Sequence, residues 1–207
     1  MKIVLLGAQG CGKGTQAKLI CKKYNIPQIS TGDMLRSYAS QDSDFGRKIK
    51  ATIDAGKLVS DEIILAMLKD RITQKDCENG FILDGVPRTL SQAEAIAQFV
   101  DVDKAVLIDV DPDKLVRRLT GRLTCKQCGN ISHIDWSKGN NCEKCGGDYT
   151  VRADDADENA IRARLSTYHE KTKPVVEYYR ALGKLQVIDG SRDVNDVFEN
   201  VVEALNK

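Results

Sequence analysis

An α/β fold with a parallel sheet covered by helices on both faces is predicted by three observations. Five apolar runs of strand length recur along the 207 residues, and helical-period segments separate them. A glycine-rich loop joins the first run to the first helix. Strand–helix alternation implies right-handed βαβ units, whose ligands sit beyond the C-terminal ends of the strands.

The elements follow in order. "KIVLL" (2–6) reads as the first strand, and 13–24 as a helix with Ala17, Ile20, Cys21 and Tyr24 on one face. Residues 26–29 supply a further strand. Ser60, Asp61 and Glu62 open a helix ahead of "IILAMLKDRI", and "FILD" (81–84) is a buried strand. "SQAE" (91–94) reads as a capping box, "KAVLIDV" (104–110) as a strand, and Asp111-Pro112 as the start of another helix. "LQVID" (185–189) is the fifth strand. Two stretches break the alternation. Residues 30–59 are helical and polar, and 122–158 lose the period and carry cysteines. The expected division is therefore a core of 1–29, 60–121 and 159–207 with inserts at 30–59 and 122–158.

The bulk numbers narrow the function. A formal charge of +1 argues against a general nucleic-acid footprint. The N-terminal apolar run is shorter than a signal-peptide core, and no stretch reaches the ~18 apolar residues of a membrane span. A cytoplasmic protein without membrane or nucleic-acid partners is expected. Seven cysteines, an odd number, make a complete disulfide framework improbable.

"GAQGCGKGTQ" (7–16) lies between strand and helix, where glycines let backbone N–H groups turn toward phosphate and the helix dipole adds positive character. Gly10, Cys11, Gly12, Lys13, Gly14 and Thr15 are the candidate triphosphate cradle, with Lys13 as the mobile charge. Further on, Cys125, Cys128, Cys142 and Cys145 form C-x2-C-x13-C-x2-C, a spacing that suits tetrahedral zinc. Four thiolates fill such a shell, so the metal is expected to be structural. An iron–sulfur cluster, a redox pair or four idle thiols are the alternatives.

The general phosphate-loop pattern places Ser or Thr directly after the lysine, whereas here Gly14 precedes Thr15. "GKGTQ" resembles the adenylate kinase branch of the nucleoside monophosphate kinases. "STGDMLR" (30–36), "AGKLVSDE" (55–62), "LDGVPRTLSQ" (83–92), "RRLTGR" (117–122), "VRADD" (151–155) and "RARLSTYHEKTKPVVEYY" (162–179) extend the likeness over nearly the whole chain. The resemblance is to the long-lid, zinc-binding bacterial type. It implies a P-loop kinase with a five-stranded parallel sheet, a helical AMP-binding insert and a zinc-stapled lid, and a monomer acting on ATP, AMP and ADP with Mg2+.

By that resemblance AMP is bound by Thr31, Arg36, Lys57, Leu58, Val59, Gly85, Val86, Pro87, Arg88, Gln92, Arg152 and Arg164. ATP additionally meets Arg118, Arg122, Ile131, Ser132 and Arg192, and Asp84 holds the metal's water shell. Lys13, Arg88, Arg122, Arg152 and Arg164 surround the transferred phosphoryl group. The chemistry of these residue types agrees. Arginines fork onto phosphate, and Gln92 offers donor and acceptor to an adenine edge. Arg118 and Arg122, four apart, share a face if their helix persists.

This chain departs from the family at several points. Ser60 stands where proline is usual, Val86 where phenylalanine is, and Ser132 where many relatives have tyrosine. One extra residue between Asp155 and Arg164 makes Arg162 an alternative to Arg164. Asp154 and Asp155 are hinge or arginine-pairing candidates, and His133 is expected to pack rather than ligate. A UMP, CMP or GMP kinase and a nucleic-acid-dependent ATPase are the rival readings; Thr31 favours AMP over pyrimidine monophosphates.

Overall fold

The computed structural model describes residues 1–55, 57–152 and 155–207. Five parallel strands form the central sheet: β1 (Lys2–Leu6), β2 (Gln28–Ser30), β3 (Phe81–Asp84), β4 (Lys104–Asp109) and β8 (Leu185–Asp189), in the spatial order β2-β3-β1-β4-β8. Parallel strands need crossovers. Those that flank β1 are α1 (Lys13–Tyr24), α4 (Asp61–Ile72) and α5 (Leu90–Ala97).

Period-two alternation in β1 sends side chains into two separate cores. Ile3 and Leu5 pack with Ala17 and Ile20 of α1 and with Val197, Val201 and Leu205 of α9 (Val194–Asn206). Val4 and Leu6 face the other way, onto Leu68, Ile96, Val175 and Tyr179. The last two belong to α8 (Lys173–Ala181), which continues from α7 (Glu158–Thr167) through a π-helical turn at Tyr168–Thr172. Both faces of every central strand are thus covered, which is why the runs read as continuously apolar.

Two groups of elements stand off this sheet. One comprises helices α2 (Thr31–Ala39) and α3 (Asp44–Asp54), each capped by a serine hydroxyl, Ser30 and Ser43. The other follows α6 (Pro112–Thr120) and is a three-stranded antiparallel sheet in the order β6-β5-β7. Its strands are β5 (Arg122–Cys125), β6 (Ile131–His133) and β7 (Tyr149–Val151).

Three local expectations need correction. The second strand is Gln28–Ser30, not 26–29; Pro27 cannot donate to a ladder, and Ile26 is simply buried before it. The cap of α5 is Thr89, whose hydroxyl accepts from the Gln92 N–H, so Ser91 already lies inside the helix. The helix carrying Arg118 ends at Thr120, so Arg122 lies on β5 and the two share no helical face. Gly121 allows this change of direction, because a Cβ there would lie 2.2 Å from His133 Nε2.

Candidate active site

The glycine loop leaves β1 at Leu6 and ends at Gly12, which caps α1 with φ 102°, a left-handed backbone that favours glycine. The N–H groups of Thr15 and Gln16 are taken by the Gly12 carbonyl. Lys13 folds over the loop, its Nζ donating to the carbonyls of Gly7 at 2.6 Å and Ala8 at 3.0 Å. Its ammonium therefore stands at the mouth of the loop, bound only to groups that a phosphate oxygen can outcompete.

This loop forms one wall of a cleft of about 840 Å³. The start of α2, the β3–α5 connection, the end of α6 and the small antiparallel sheet supply the others. Of the residues expected to touch nucleotide, all but two line it: the loop from Gly10 to Thr15, Thr31, Arg36, Lys57 to Val59, Asp84, Gly85, Arg88, Gln92, Arg118, Arg122, Ile131, Ser132, Arg152, Arg164 and Arg192. Val86 and Pro87 do not. Val86 is 1% exposed within the core, and Pro87 borders a small cavity of about 40 Å³ behind the loop, beside Tyr168. An apolar side chain between β3 and α5 is drawn into the core, so any role of these two toward ligand passes to their backbone.

On the side nearer α2, Thr31 is buried and its hydroxyl donates weakly to the Asp84 carbonyl at 3.4 Å. Arg36 pairs with Asp33 at the rim. Arg88 is held at both ends of its residue: Nε donates to the Gly85 carbonyl at 2.8 Å, and its own carbonyl accepts from Thr172 Oγ1 at 2.9 Å. Gln92, buried on α5, accepts from the Arg88 N–H at 2.7 Å and donates to Asp61 Oδ1 at 2.7 Å.

On the other side, three charges meet. Asp155 is fully buried and receives Arg122 Nε on Oδ2 at 2.6 Å and Arg164 Nη1 on Oδ1 at 2.8 Å. Burial, with the neighbouring Arg152 charge, pushes the Arg122 guanidinium down to about 10, against the pull of Asp155. This geometry separates the two candidate arginines: Arg162 points outward to Glu158 at 2.6 Å, while Arg164 faces the cleft. Asp155 is thus an arginine partner; Asp154 lies outside the described residues. Arg118 forks onto the Gly190 carbonyl at 3.2 Å from both Nη atoms, and Arg192 sits at the rim beside Asp189. Asp84, at the end of β3, accepts from Gln28 Nε2 at 2.8 Å. Its carboxylate lies beside Gly14 of the loop.

Several contributors were not expected as site residues: Gln28 behind Asp84, Thr172 behind Arg88, and Lys18, whose Nζ reaches the Gly129 carbonyl across the cleft at 3.1 Å. Asp61 reads from the sequence as an acidic first-turn residue within "AGKLVSDE", with no site role attached. Each acts over a sequence separation of 28 residues or more, where local patterning carries no signal.

The four cysteines come together at one end of the antiparallel sheet. Their sulfurs all lie within 4.8 Å of one another, with Cys125 to Cys145 at 3.5 Å and Cys128 to Cys142 at 3.6 Å. Burial pushes the Cys142 thiol up, but the backbone N–H groups of Lys144 and Cys145 outweigh it and bring it down toward the thiolate. An all-sulfur tetrahedral donor set of this size fits Zn2+. His133 is not among the four. It is buried, stacked on Trp136 with centroids 4.3 Å apart, and bonded to the Arg117 carbonyl.

Comparison with known proteins converges on one group. The family model described as adenylate kinase matches residues 5–184. A curated adenylate kinase from Syntrophotalea carbinolica is 45% identical over 99% of this chain and 98% of its own length. Those from Alkaliphilus oremlandii and Archaeoglobus fulgidus are 44% and 42% identical at similar coverage, 99% and 98% in the first pair and 100% and 99% in the second. With a phosphate loop, an arginine-lined cleft and near-complete alignment to such relatives, the chain belongs to the adenylate kinase family.

Proposed function

We infer that this adenylate kinase transfers the γ-phosphoryl group of ATP to AMP, giving two ADP, in the cleft between glycine loop and antiparallel sheet. The observation that carries the reading is the convergence of Lys13, Arg88, Arg122, Arg152 and Arg164 on that cleft. The AMP phosphate is itself an anionic nucleophile, so no general base is needed, and catalysis reduces to alignment and charge stabilisation.

The roles divide by position. The loop from Gly10 to Thr15 receives the ATP phosphates at the head of α1, and Lys13 leaves the Gly7 and Ala8 carbonyls for the outer phosphates. Arg36 and Arg88 hold the AMP phosphate, while Thr31, Gln92 and the Lys57–Val59 backbone meet its nucleoside. Arg118, Arg192 and the Ile131–Ser132 edge flank the ATP nucleoside. Arg122, Arg152 and Arg164 close on the phosphoryl group in transfer. The Asp84 carboxylate and Thr15 would hold the water shell of a Mg2+ ion bound with ATP, which would supply charge neutralisation for the phosphates.

The segment 30–59 serves as the AMP-binding unit and 122–158 as a lid on the core of 1–29, 60–121 and 159–207. Cys125, Cys128, Cys142 and Cys145 hold structural zinc, which makes the lid one rigid piece. An insert of this size has little core of its own, and a shutting lid must exclude water that would otherwise accept the phosphoryl group. A cytoplasmic monomer, free of membrane and nucleic acid, fits the near-neutral charge, and among the described residues no helix is long and apolar enough to cross a membrane. Incubation with Mg-ATP and AMP, followed by 31P NMR, is expected to give two ADP per ATP consumed. Release of inorganic phosphate without ADP formed from AMP would overturn the reading.

A further inference from the structure

We propose that Asp61 is a specificity-determining positioning residue: by fixing which way the Gln92 carboxamide points, it sets the discrimination between 6-amino and 6-oxo purine monophosphates. This rests on the reading of Gln92 as the side chain that meets the AMP base.

A glutamine amide is nearly symmetric in shape and opposite in chemistry at its two ends, so its orientation is decided by its neighbours. At Gln92 both neighbours are single-minded. The Arg88 backbone N–H can only donate, and it lies 2.7 Å from Oε1. The Asp61 carboxylate can only accept, and its Oδ1 lies 2.7 Å from Nε2. Turning the amide over would set donor against donor and acceptor against acceptor. Asp61 is itself held from its other oxygen, where Ser91 Oγ donates at 2.5 Å and Thr89 Oγ1 at 3.3 Å. Gln92 is 2% exposed and lines the cleft. These bonds use one lone pair of Oε1 and one hydrogen of Nε2, leaving one of each for ligand, in an order that cannot reverse.

Adenine and hypoxanthine differ along one edge. Adenine presents an acceptor at N1 beside a 6-amino donor, and hypoxanthine a donor at N1 beside a 6-oxo acceptor. A freely turning glutamine would pair with either; a fixed one pairs with one alone and leaves buried polar groups opposed for the other. Sites built on such hydrogen bonds discriminate far more sharply than sites built on shape. Asp61 comes from the start of α4 and Gln92 from α5, 31 residues on, so the selectivity is carried by the packing of these two helices.

The test compares kcat/KM for AMP and inosine monophosphate, with Mg-ATP, in wild type, D61A, D61N and Q92L. Asp61→Ala lets water, which both donates and accepts, stand opposite Nε2, and the AMP-to-inosine monophosphate ratio is expected to fall ~10-fold or more. Asp61→Asn keeps an oxygen that can accept from Nε2, and retains more of the ratio than D61A. A merely structural Asp61 would slow both substrates equally. A ratio within about two-fold of wild type in D61A, whatever the absolute rate, overturns the proposal. Should D61A not fold, D61N carries the same comparison, with a fall of ~3-fold or more expected and an unchanged ratio contradicting it. If Q92L loses the ratio and D61A keeps it, only the role of Asp61 fails. If Q92L keeps it, the reading of Gln92 fails and this proposal with it.

Discussion

Arg122, the first residue of β5, donates from Nε to Asp155 Oδ2 at 2.6 Å, and the carboxylate is wholly buried. The other oxygen of the same carboxylate takes Arg164 at 2.8 Å, so one acid anchors two of the five cations assigned to phosphoryl transfer. Before any nucleotide enters, like charges are gathered where they repel one another, and Asp155 offsets that repulsion.

Removal of this acid takes a buried negative charge away from two nearly buried guanidiniums. Asp155→Asn, which keeps the shape, is therefore expected to destabilise the protein by about 3 kcal/mol. In a chain of this length that lowers Tm by roughly 6–12 °C in a thermal unfolding scan. A shift under about 2 °C would mean that the pair contributes little net stability.

The two arginines near the end of the lid separate cleanly by geometry. Arg164 faces the cleft beside Asp155, whereas Arg162 is 64% exposed and bridged to Glu158 within one helix. Arg164→Ala should lower kcat by ~100-fold or more, the scale of a lost transition-state charge contact. Arg162→Ala should stay within about three-fold of wild type, since an exposed helical pair is worth ~0.5 kcal/mol. Steady-state kinetics on the two variants decides it, and a reversed order would reassign the phosphate ligand.

Among the described residues, Lys13 is bonded to the loop carbonyls of Gly7 and Ala8 and to the Cys11 sulfur. Lys13→Met should thus leave the fold near wild-type stability while kcat falls by ~100- to 1,000-fold. Far-UV circular dichroism with ADP-formation assays checks both halves. Activity within ten-fold of wild type would remove the lysine from the phosphate cradle.

Zinc removal should act on the lid before the chemistry. Protons compete with metal for the four thiolates, so zinc bound there is expected to be retained at neutral pH and released as pH falls. Stripping it with chelator at neutral pH is expected to raise amide hydrogen exchange in 122–151 and to lower Tm, with turnover persisting at temperatures where the lid stays folded. Loss of turnover in chelated, folded protein would contradict a purely structural role.

Much of this was legible in the sequence, for a physical reason. Strands buried on both faces leave continuous apolar runs, and the loop at 7–16 is a local backbone device, so β1, α1, β3 and β8 lie where the runs predict. The cysteine spacing likewise encodes its own closure. What local pattern does not record was decided by tertiary contact. The end of α6 at Thr120 depends on Gly121 passing under His133, twelve residues on and brought back by the pairing of β5 with β6. The inward turn of Val86 depends on the core it joins. Asp61, Gln28 and Thr172 position site residues 31, 56 and 84 residues away, and no period or motif records such a bond.

A cleft that joins ATP to AMP is tested by ADP formation in purified protein given Mg-ATP with AMP, GMP, CMP or UMP in turn. Rapid transfer to AMP is expected, with a strong preference for it over the other three. Equal or better use of CMP or UMP would contradict the base recognition assigned to Thr31 and Gln92, and hydrolysis of ATP with transfer to none of them would contradict the account as a whole.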